Sequence, residues 1–392
     1  MSKHLKLSIP SLENKIYFNY GGQGPLPKTS LDAMVESWNK IQELGPFTEN
    51  VWPYISREII STKQKLSDIL GVSISNIALS ENITSGMVLP MWGMRFDDND
   101  ELLISDCEHP GIVAAAREFC RRNNIELKIF PIQKIRNLND KTFLDSIREY
   151  ITINTKAFII SHVLWNFGFK IPLKKLYEEL KRLKNDNYLL IDGAQSFGHI
   201  GIADEVKYSD LYAVTSHKWA CGPEGLGAVY VSDRFLDFSD PTIIGWKSLK
   251  KEQGIYEPHQ NILHKDARKF EIATSCTPLL AGLRESINLL EKDCSEEKKN
   301  AHICKLSNYL SEQLKQLKNI DLVLKNPLKN GIVSFDIQDL TYKKQEIVKE
   351  LSKKRIFIRI VEDPDWFRVC IHQMTTLEEV DLLIKEIQEL IM

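Results

Sequence analysis

The chain has 392 residues, 43% of them hydrophobic, and its 51 basic and 53 acidic side chains leave a net charge of −2. That length admits a large core and two or three domains, the composition is ordinary for a soluble globular protein, and the near-neutral charge gives no electrostatic case for binding nucleic acid or an anionic membrane. No run of 18 or more apolar residues predicts a membrane span, and the opening MSKHLKLSIPSLENK lacks the apolar stretch of a signal peptide. The seven cysteines, at 107, 120, 221, 276, 294, 304 and 370, form no CxxC pair. Neither a metal site nor a disulfide framework is therefore indicated, each thiol reads as a small buried hydrophobe, and a cytoplasmic setting is the simplest expectation.

Residues 1–20 read as an arm, without strong periodicity up to residue 16. It runs into Gly21-Gly22-Gln23-Gly24-Pro25, where glycine permits a turn or a close backbone approach. Leu31–Leu70 reads as helix, broken at Gly45-Pro46. Short apolar runs then follow at Ile77–Leu79, Glu101–Ser105, Leu127–Phe130, Ala157–Val163, Tyr188–Ile191, Leu211–Val214 and from Gly227. These seven predicted strands alternate with helices, which predicts an α/β fold with a mostly parallel sheet covered on both faces.

Polar residues cluster where these strands end. Ser80–Gly86 joins a strand to a helix, and Asn82, Thr84 and Ser85 there can cap the helix or hold an anion at its N-terminus. His109 follows the second strand, and Asn166 follows the fourth as a candidate substrate or cofactor contact. His162 reads as structural. Ser232–Arg268 is long and poorly periodic, contains Gly245-Trp246, and has the character of a functional segment. Leu279–Leu317 reads as helical and leads to a smaller C-terminal α+β unit. That unit holds a strand at Gly331–Ile337 after an Asn-Gly turn, a helix at Lys343–Lys354, and a last helix opened by the capping box Thr376-x-x-Glu379. The expected division is an arm (1–20), a large domain (21–270), and a linker helix with a small domain (271–392).

Ile356–Val361 and Trp366–Ile371 flank a four-residue loop and read as a hairpin. Counting back from the loop places Arg359 opposite Arg368. Like charges in that position repel, which is tolerable when an anion is shared between the two guanidinium forks.

The most informative stretch is Tyr188–Val231. One strand ends in Asp192 with Gln195 just beyond; the next ends in Thr215-Ser216-His217-Lys218. Ligands of open α/β sheets bind outside the carboxyl ends of strands, so a carboxylate, an amide, a hydroxyl, an imidazole and a lysine surround one crevice. Pyridoxal phosphate needs such a set: a lysine to bind its aldehyde, and a carboxylate to keep its ring nitrogen protonated.

With Asp192-x-x-Gln195, His217-Lys218-Trp219 and Gly222-Pro223-x-Gly225-x-Gly227, the stretch resembles the signature of the class V aminotransferases, which include the cysteine desulfurases. Further motifs through most of the chain are similar to its L-cysteine/cystine C–S lyase branch of the cyanobacterial type: Tyr17-Phe18-Asn19-x-Gly21-Gly22-Gln23-Gly24, Asp106–Ile112, Leu164-Trp165-Asn166, Gly245-Trp246-Lys247-Ser248, and Arg359 through Asp363-Pro364-Asp365 to Arg368. The resemblance implies a fold type I pyridoxal-phosphate enzyme. Lys218, His109 and Asp192 would be catalytic. Lys218, Asp192, Gln195, His109, Thr84, Ser85, Thr215 and His217 would hold the cofactor, with Thr274 reaching the cofactor phosphate of a partner subunit in a homodimer. Phe270-Glu271-Ile272-Ala273-Thr274 carries Ala273 where the family has glycine. Arg359, Arg368, Asn166, Gly22 and Trp246 would contact substrate.

The implied reaction is β-elimination of cystine or cysteine to pyruvate, ammonia and a persulfide or sulfide, supplying sulfur to an acceptor such as an iron–sulfur scaffold. A transaminase, a cysteine desulfurase and a sulfur-delivery partner of such a scaffold stay open as alternatives. Desulfurases insert a loop with a nucleophilic cysteine into this hairpin region. Here the hairpin is tight, and Cys370 lies within its strand.

Overall fold

A computed structural model describes residues 2–183, 186–250, 262–338 and 343–391. The arm supplies β1 (Ile16–Tyr17). The large sheet is built from β2 (Ile77–Ser80), β3 (Glu101–Ser105), β4 (Glu126–Phe130), β5 (Thr155–Ser161), β6 (Tyr188–Asp192), β7 (Leu211–Thr215) and β8 (Gly227–Val231). Its order is β2-β8-β7-β6-β5-β3-β4. β8 runs antiparallel to both neighbours, and the other pairings are parallel. Every residue of β3, β5, β6 and β7 is buried, which is why these strands read as continuous apolar runs.

This order sets the position of the crevice. From β3 the chain moves outward to β4, whereas from β5 it moves the other way to β6. Neighbouring strands whose connections diverge leave a gap beyond their carboxyl ends. His109 lies past β3 and Asn166 past β5. The register then aligns Ser161 with Asp192, and Asp192 with Ala213, so the ends of β5, β6 and β7 open on the same gap. Behind it, His162 Nδ1 meets the Tyr212 hydroxyl at 2.7 Å and Nε2 meets Glu205 at 3.2 Å, a buried structural chain.

The C-terminal part contains β9 (Ile320–Leu322), β10 (Ile332–Ile337), β11 (Ile356–Phe357), β12 (Arg359–Val361) and β13 (Trp366–Cys370). Four of these form an antiparallel sheet in the order β12-β13-β10-β9. Its core joins Phe335 and Phe367 to Leu310 and Leu314 of one helix and Val380, Leu383 and Ile387 of another. β11 pairs in parallel with β1. The arm is thus stitched to the small sheet, and the Phe18 carbonyl also accepts from Cys370 N at 2.8 Å.

Four sequence expectations need correction. The arm is structured: Ser2–Leu7 is helical, and Leu5, Ile9 and Leu12 are buried at helical spacing, a pattern too short to stand out. The helical stretch after residue 277 is two helices, Thr277–Asp293 and Glu296–Gln316, with Ser295 capping the second. The irregular stretch contains a helix, Asp233–Phe238, capped by Ser232, while residues 251–261 lie outside the described ones. Asn330 anchors rather than turns: its amide donates to the Gly168 carbonyl at 2.6 Å and accepts from Ile332 N at 3.0 Å.

No helix among the described residues is long and apolar enough to cross a membrane. The last helix, Leu377–Ile391, opens with the expected reciprocal cap: Thr376 N donates to Glu379 Oε2 at 2.9 Å, and Glu379 N to Thr376 Oγ1 at 3.3 Å. Thr376→Ala is expected to lower stability by about 1 kcal/mol. The check is the urea midpoint, with the far-ultraviolet circular dichroism unchanged.

Candidate active site

A cavity of about 330 Å³ lies over the carboxyl ends of β3, β5, β6 and β7. The arm brings Gly21 and Gly22, the end of β3 brings Glu108 and His109, and the segment past β5 brings Trp165 and Asn166. Gln195, His217 and Lys218 follow β6 and β7, and the hairpin closes the cavity with Arg359 and Arg368. Residues from six separate stretches of sequence therefore converge.

Lys218 is held through its backbone. The amide of Gly24 donates to the His217 carbonyl at 2.7 Å, and a Cβ at position 24 would stand 2.0 Å from the Lys218 carbonyl oxygen. Only glycine admits this approach. The Lys218 Nζ forms no ion pair among the described residues, and Asp192 acts on it through space. Burial pushes its pKa from 10.5 down to about 8, and Arg368 and Arg359 push the same way against Asp192.

Asp192 is buried and accepts from Ala194 N at 2.8 Å. Burial raises its pKa, while Lys218 and His109 oppose that rise. Glu108 is a second buried carboxylate, which sequence reasoning noticed only as part of the stretch Asp106–Ile112. It accepts from Ser105 Oγ, from Ser161 Oγ at 2.7 Å and from Ser161 N at 3.1 Å. Burial pushes its pKa up to about 7, against the serine hydrogen bonds and together with repulsion from Asp192.

His109 caps the helix Pro110–Asn123, and its Nδ1 accepts from Gly111 N at 3.2 Å. In the neutral ring the proton is then on Nε2. Burial and Lys218 lower its pKa, which favours that neutral ring. The ring is exposed toward the cavity and stands edge-on to Trp165 at 5.8 Å. A methyl group on Gly111 would lie 3.3 Å from His109 Nδ1 and 3.4 Å from Thr84 Oγ1. Two helix N-termini, at Ile83 and Pro110, therefore meet beside His109, a setting suited to a phosphate. Ser85 serves the cap: its N donates to Asn82 Oδ1 at 3.0 Å and its Oγ to the Asn82 carbonyl at 3.1 Å.

Gln195 is fixed at both ends of its amide. Nε2 donates to the Gly21 carbonyl at 2.9 Å and Oε1 accepts from Trp219 Nε1 at 2.8 Å, leaving one N–H unused. His199 stacks on Trp219 with centroids 3.5 Å apart. Thr215 Oγ1 pairs with His217 Nδ1 at 2.9 Å.

The hairpin has the expected register, Arg359 opposite Arg368 and Val361 opposite Trp366. Arg368 is 1% exposed. Its Nη1 donates to the Trp165 carbonyl at 2.7 Å and its Nη2 to Asn19 Oδ1 at 3.3 Å. Its Nε has no partner, and no carboxylate among the described residues neutralises it. Asn166 is equally buried and its Oδ1 is also unpaired. Buried polar atoms left open in this way point to a ligand. Trp165, Asn19 and Trp219 support the site; they stand in the quoted motifs, but sequence reasoning gave them no role, because a supporting hydrogen bond is not visible in residue type.

Of the expected residues, Asp192, Thr84, Ser85 and Thr215 do not line this cavity directly. Trp246, expected at the substrate, is 44% exposed and outside the cavity of its own chain, and Thr274, expected to reach the cofactor of a partner subunit, is exposed and also outside it. Ser248 Oγ donates to the Glu271 carbonyl at 2.8 Å and Lys247 Nζ to Ser275 Oγ at 3.1 Å, which ties the two segments together on the surface.

A buried unpaired lysine, a buried carboxylate, paired helix N-termini and an unpaired guanidinium fit pyridoxal phosphate and an amino-acid carboxylate. The profile of the family "Aminotransferase class-V" matches residues 16–382. The chain belongs to the class V aminotransferase family. It is a pyridoxal-phosphate enzyme of fold type I. Among curated proteins it is 21% identical to a probable cysteine desulfurase of Pyrococcus abyssi, over 99% of this chain and 97% of the relative. Among solved structures it is similar to the cystine C–S lyase C-DES in complex with its product cysteine persulfide, with a TM-score of 0.90 and 32% identity over 97% of this chain and 99% of that one. A lysine-to-alanine variant of C-DES, with glycine covalently linked to its PLP cofactor, gives a TM-score of 0.90 and 31% identity over 98% and 99% of the two chains.

The lowered pKa of Lys218 gives a signed expectation for the cofactor-free protein. Below about pH 8 the folded and unfolded chains both carry this proton, and the penalty for burying it stands in full. Between about pH 8 and 10.5 the unfolded chain binds more protons, so this group's contribution to stability rises with pH. The rise amounts to about 3 kcal/mol. Lys218→Met is expected to remove it, so urea midpoints of variant and wild type converge as pH rises through this window.

Proposed function

We propose that this enzyme cleaves the Cβ–S bond of L-cystine or L-cysteine by β-elimination. The observation that carries the reading is that no cysteine lines the cavity. Cys107, Cys221 and Cys370 are nearest the site, all at most 1% exposed. None lines the cavity. The turn from Val361 to Trp366 leaves no room for a mobile loop bearing another. Persulfide transfer to an enzyme cysteine therefore has no acceptor among the residues that line this cavity. The likeness to a cystine C–S lyase supports the same reading.

Lys218, Asp192, Gln195, His109, Thr84, Thr215 and His217 would hold the cofactor, which when bound withdraws electrons from the substrate Cα and acidifies its hydrogen. Arg368, with Arg359 across the hairpin, receives the substrate carboxylate and orients the Cα–H bond. The Lys218 amine, with its pKa near 8, takes the Cα proton as general base. His109 Nε2 hands a proton to the departing sulfur. Asn166 Oδ1 accepts from a donor on the bound ligand. The Cβ–S bond breaks with its electron pair on sulfur, and water converts the remaining three-carbon fragment to pyruvate and ammonium. No net oxidation occurs, because the S–S bond of cystine leaves intact as a persulfide. A persulfide is a better leaving group than a thiolate, which favours cystine over cysteine. Gly22 borders the substrate side. Thr274 and Trp246, exposed on one surface, are assigned to the cavity of a second copy in a homodimer. Sulfur released in this way would serve an acceptor such as an iron–sulfur scaffold.

The test is a product assay with holoenzyme. Pyruvate and sulfane sulfur in equal amounts are expected from L-cystine. Alanine in place of pyruvate would overturn the reading in favour of desulfuration.

A further inference from the structure

The mouth of the cavity carries charges that this chemistry leaves unused. Glu362 and Asp363 line it from the hairpin turn, and both are exposed. Neither forms an ion pair among the described residues, whereas Asp365 in the same turn is 3.1 Å from Lys344. One wall below it has the opposite sign: Arg368 is 1% exposed and presents its unpaired Nε. The cavity thus offers a guanidinium on that wall and two carboxylates at its rim.

We propose that Glu362 and Asp363 recognise the distal ammonium of a disulfide amino acid, so that the enzyme selects substrates whose leaving sulfur carries a cationic group. This rests on the lyase reading. Arg368 and Lys218 account for the carboxylate and the amine of the half that reacts. Cysteine then has nothing left to place at the rim, whereas cystine has a second ammonium. The distances agree. A strand rise of about 3.3 Å per residue puts Glu362 about 10 Å beyond Arg359 along the hairpin. A disulfide holds its two α-carbons about 4.4–6.8 Å apart, and the carboxylate and ammonium at its ends extend that span toward the same length. An anionic distal group would instead meet two like charges. The rim is open to water, so the preference should be about five- to tenfold and should weaken with salt.

Two mixed disulfides isolate the effect: cysteine–cysteamine keeps only a distal ammonium, and cysteine–3-mercaptopropionate keeps only a distal carboxylate. With holoenzyme, kcat/KM from pyruvate release is expected to favour the cysteamine disulfide about five- to tenfold. Added salt should shrink the ratio, and Glu362→Gln with Asp363→Asn should bring it close to one. Equal rates in the wild type overturn the proposal, as does a ratio retained in the double variant. β-Chloro-L-alanine, which has a leaving group but no distal group, separates the two failures: without pyruvate from it or from either disulfide, the lyase reading itself falls.

Discussion

Four ionisable groups share one crevice: the carboxylates of Asp192 and Glu108, the Lys218 ammonium and the Arg368 guanidinium. Any one of them buried alone would cost several kcal/mol. Their charges balance as a set, yet they do not pair off. Glu108 is satisfied by serines, Asp192 by a backbone amide, and Arg368 by a carbonyl and an asparagine. Lys218 and the Arg368 Nε keep donors free for something that enters. The arrangement is stable enough to fold and incomplete enough to bind.

The rest of the architecture supplies this crevice and closes it. The sheet order opens the gap between β3 and β5, and the register brings the end of β6 level with it. The arm crosses both parts of the molecule. β1 joins the small sheet, the Gly21 carbonyl holds Gln195, and Gly24 lies against the Lys218 peptide. Arg368 reaches back from the small sheet to Trp165 of the large one. Lys218 and Arg368 are therefore spaced by hydrogen bonds across the boundary between the two sheets, and a change at the arm would alter both.

Much of this was legible in the residues. Buried parallel strands announce themselves as apolar runs, so β3, β6 and β7 were placed within a residue of their bounds, and the hairpin register followed from loop length. Asp192, Gln195, His109 and Lys218 stand at strand ends, where side-chain chemistry is not needed for packing. What escaped was context. Leu5, Ile9 and Leu12 are spread over a short helix, a linker and a short 3-10 turn, too little to register as periodic. β9 is three residues long and half-exposed. Glu108 matters because two serines from different strands surround it, and no local pattern encodes that meeting. Trp246 has the residue type of a substrate contact but lies on the surface of a single chain.

The central claim is that the buried, unpaired Lys218 is the point at which this chain holds its cofactor. Borohydride reduction of the cofactor-loaded protein, followed by proteolysis and mass spectrometry of the peptides, tests it most directly. The account predicts one tagged peptide, carrying the cofactor on Lys218. A tag on another lysine, with the Lys218 peptide unmodified, would contradict it.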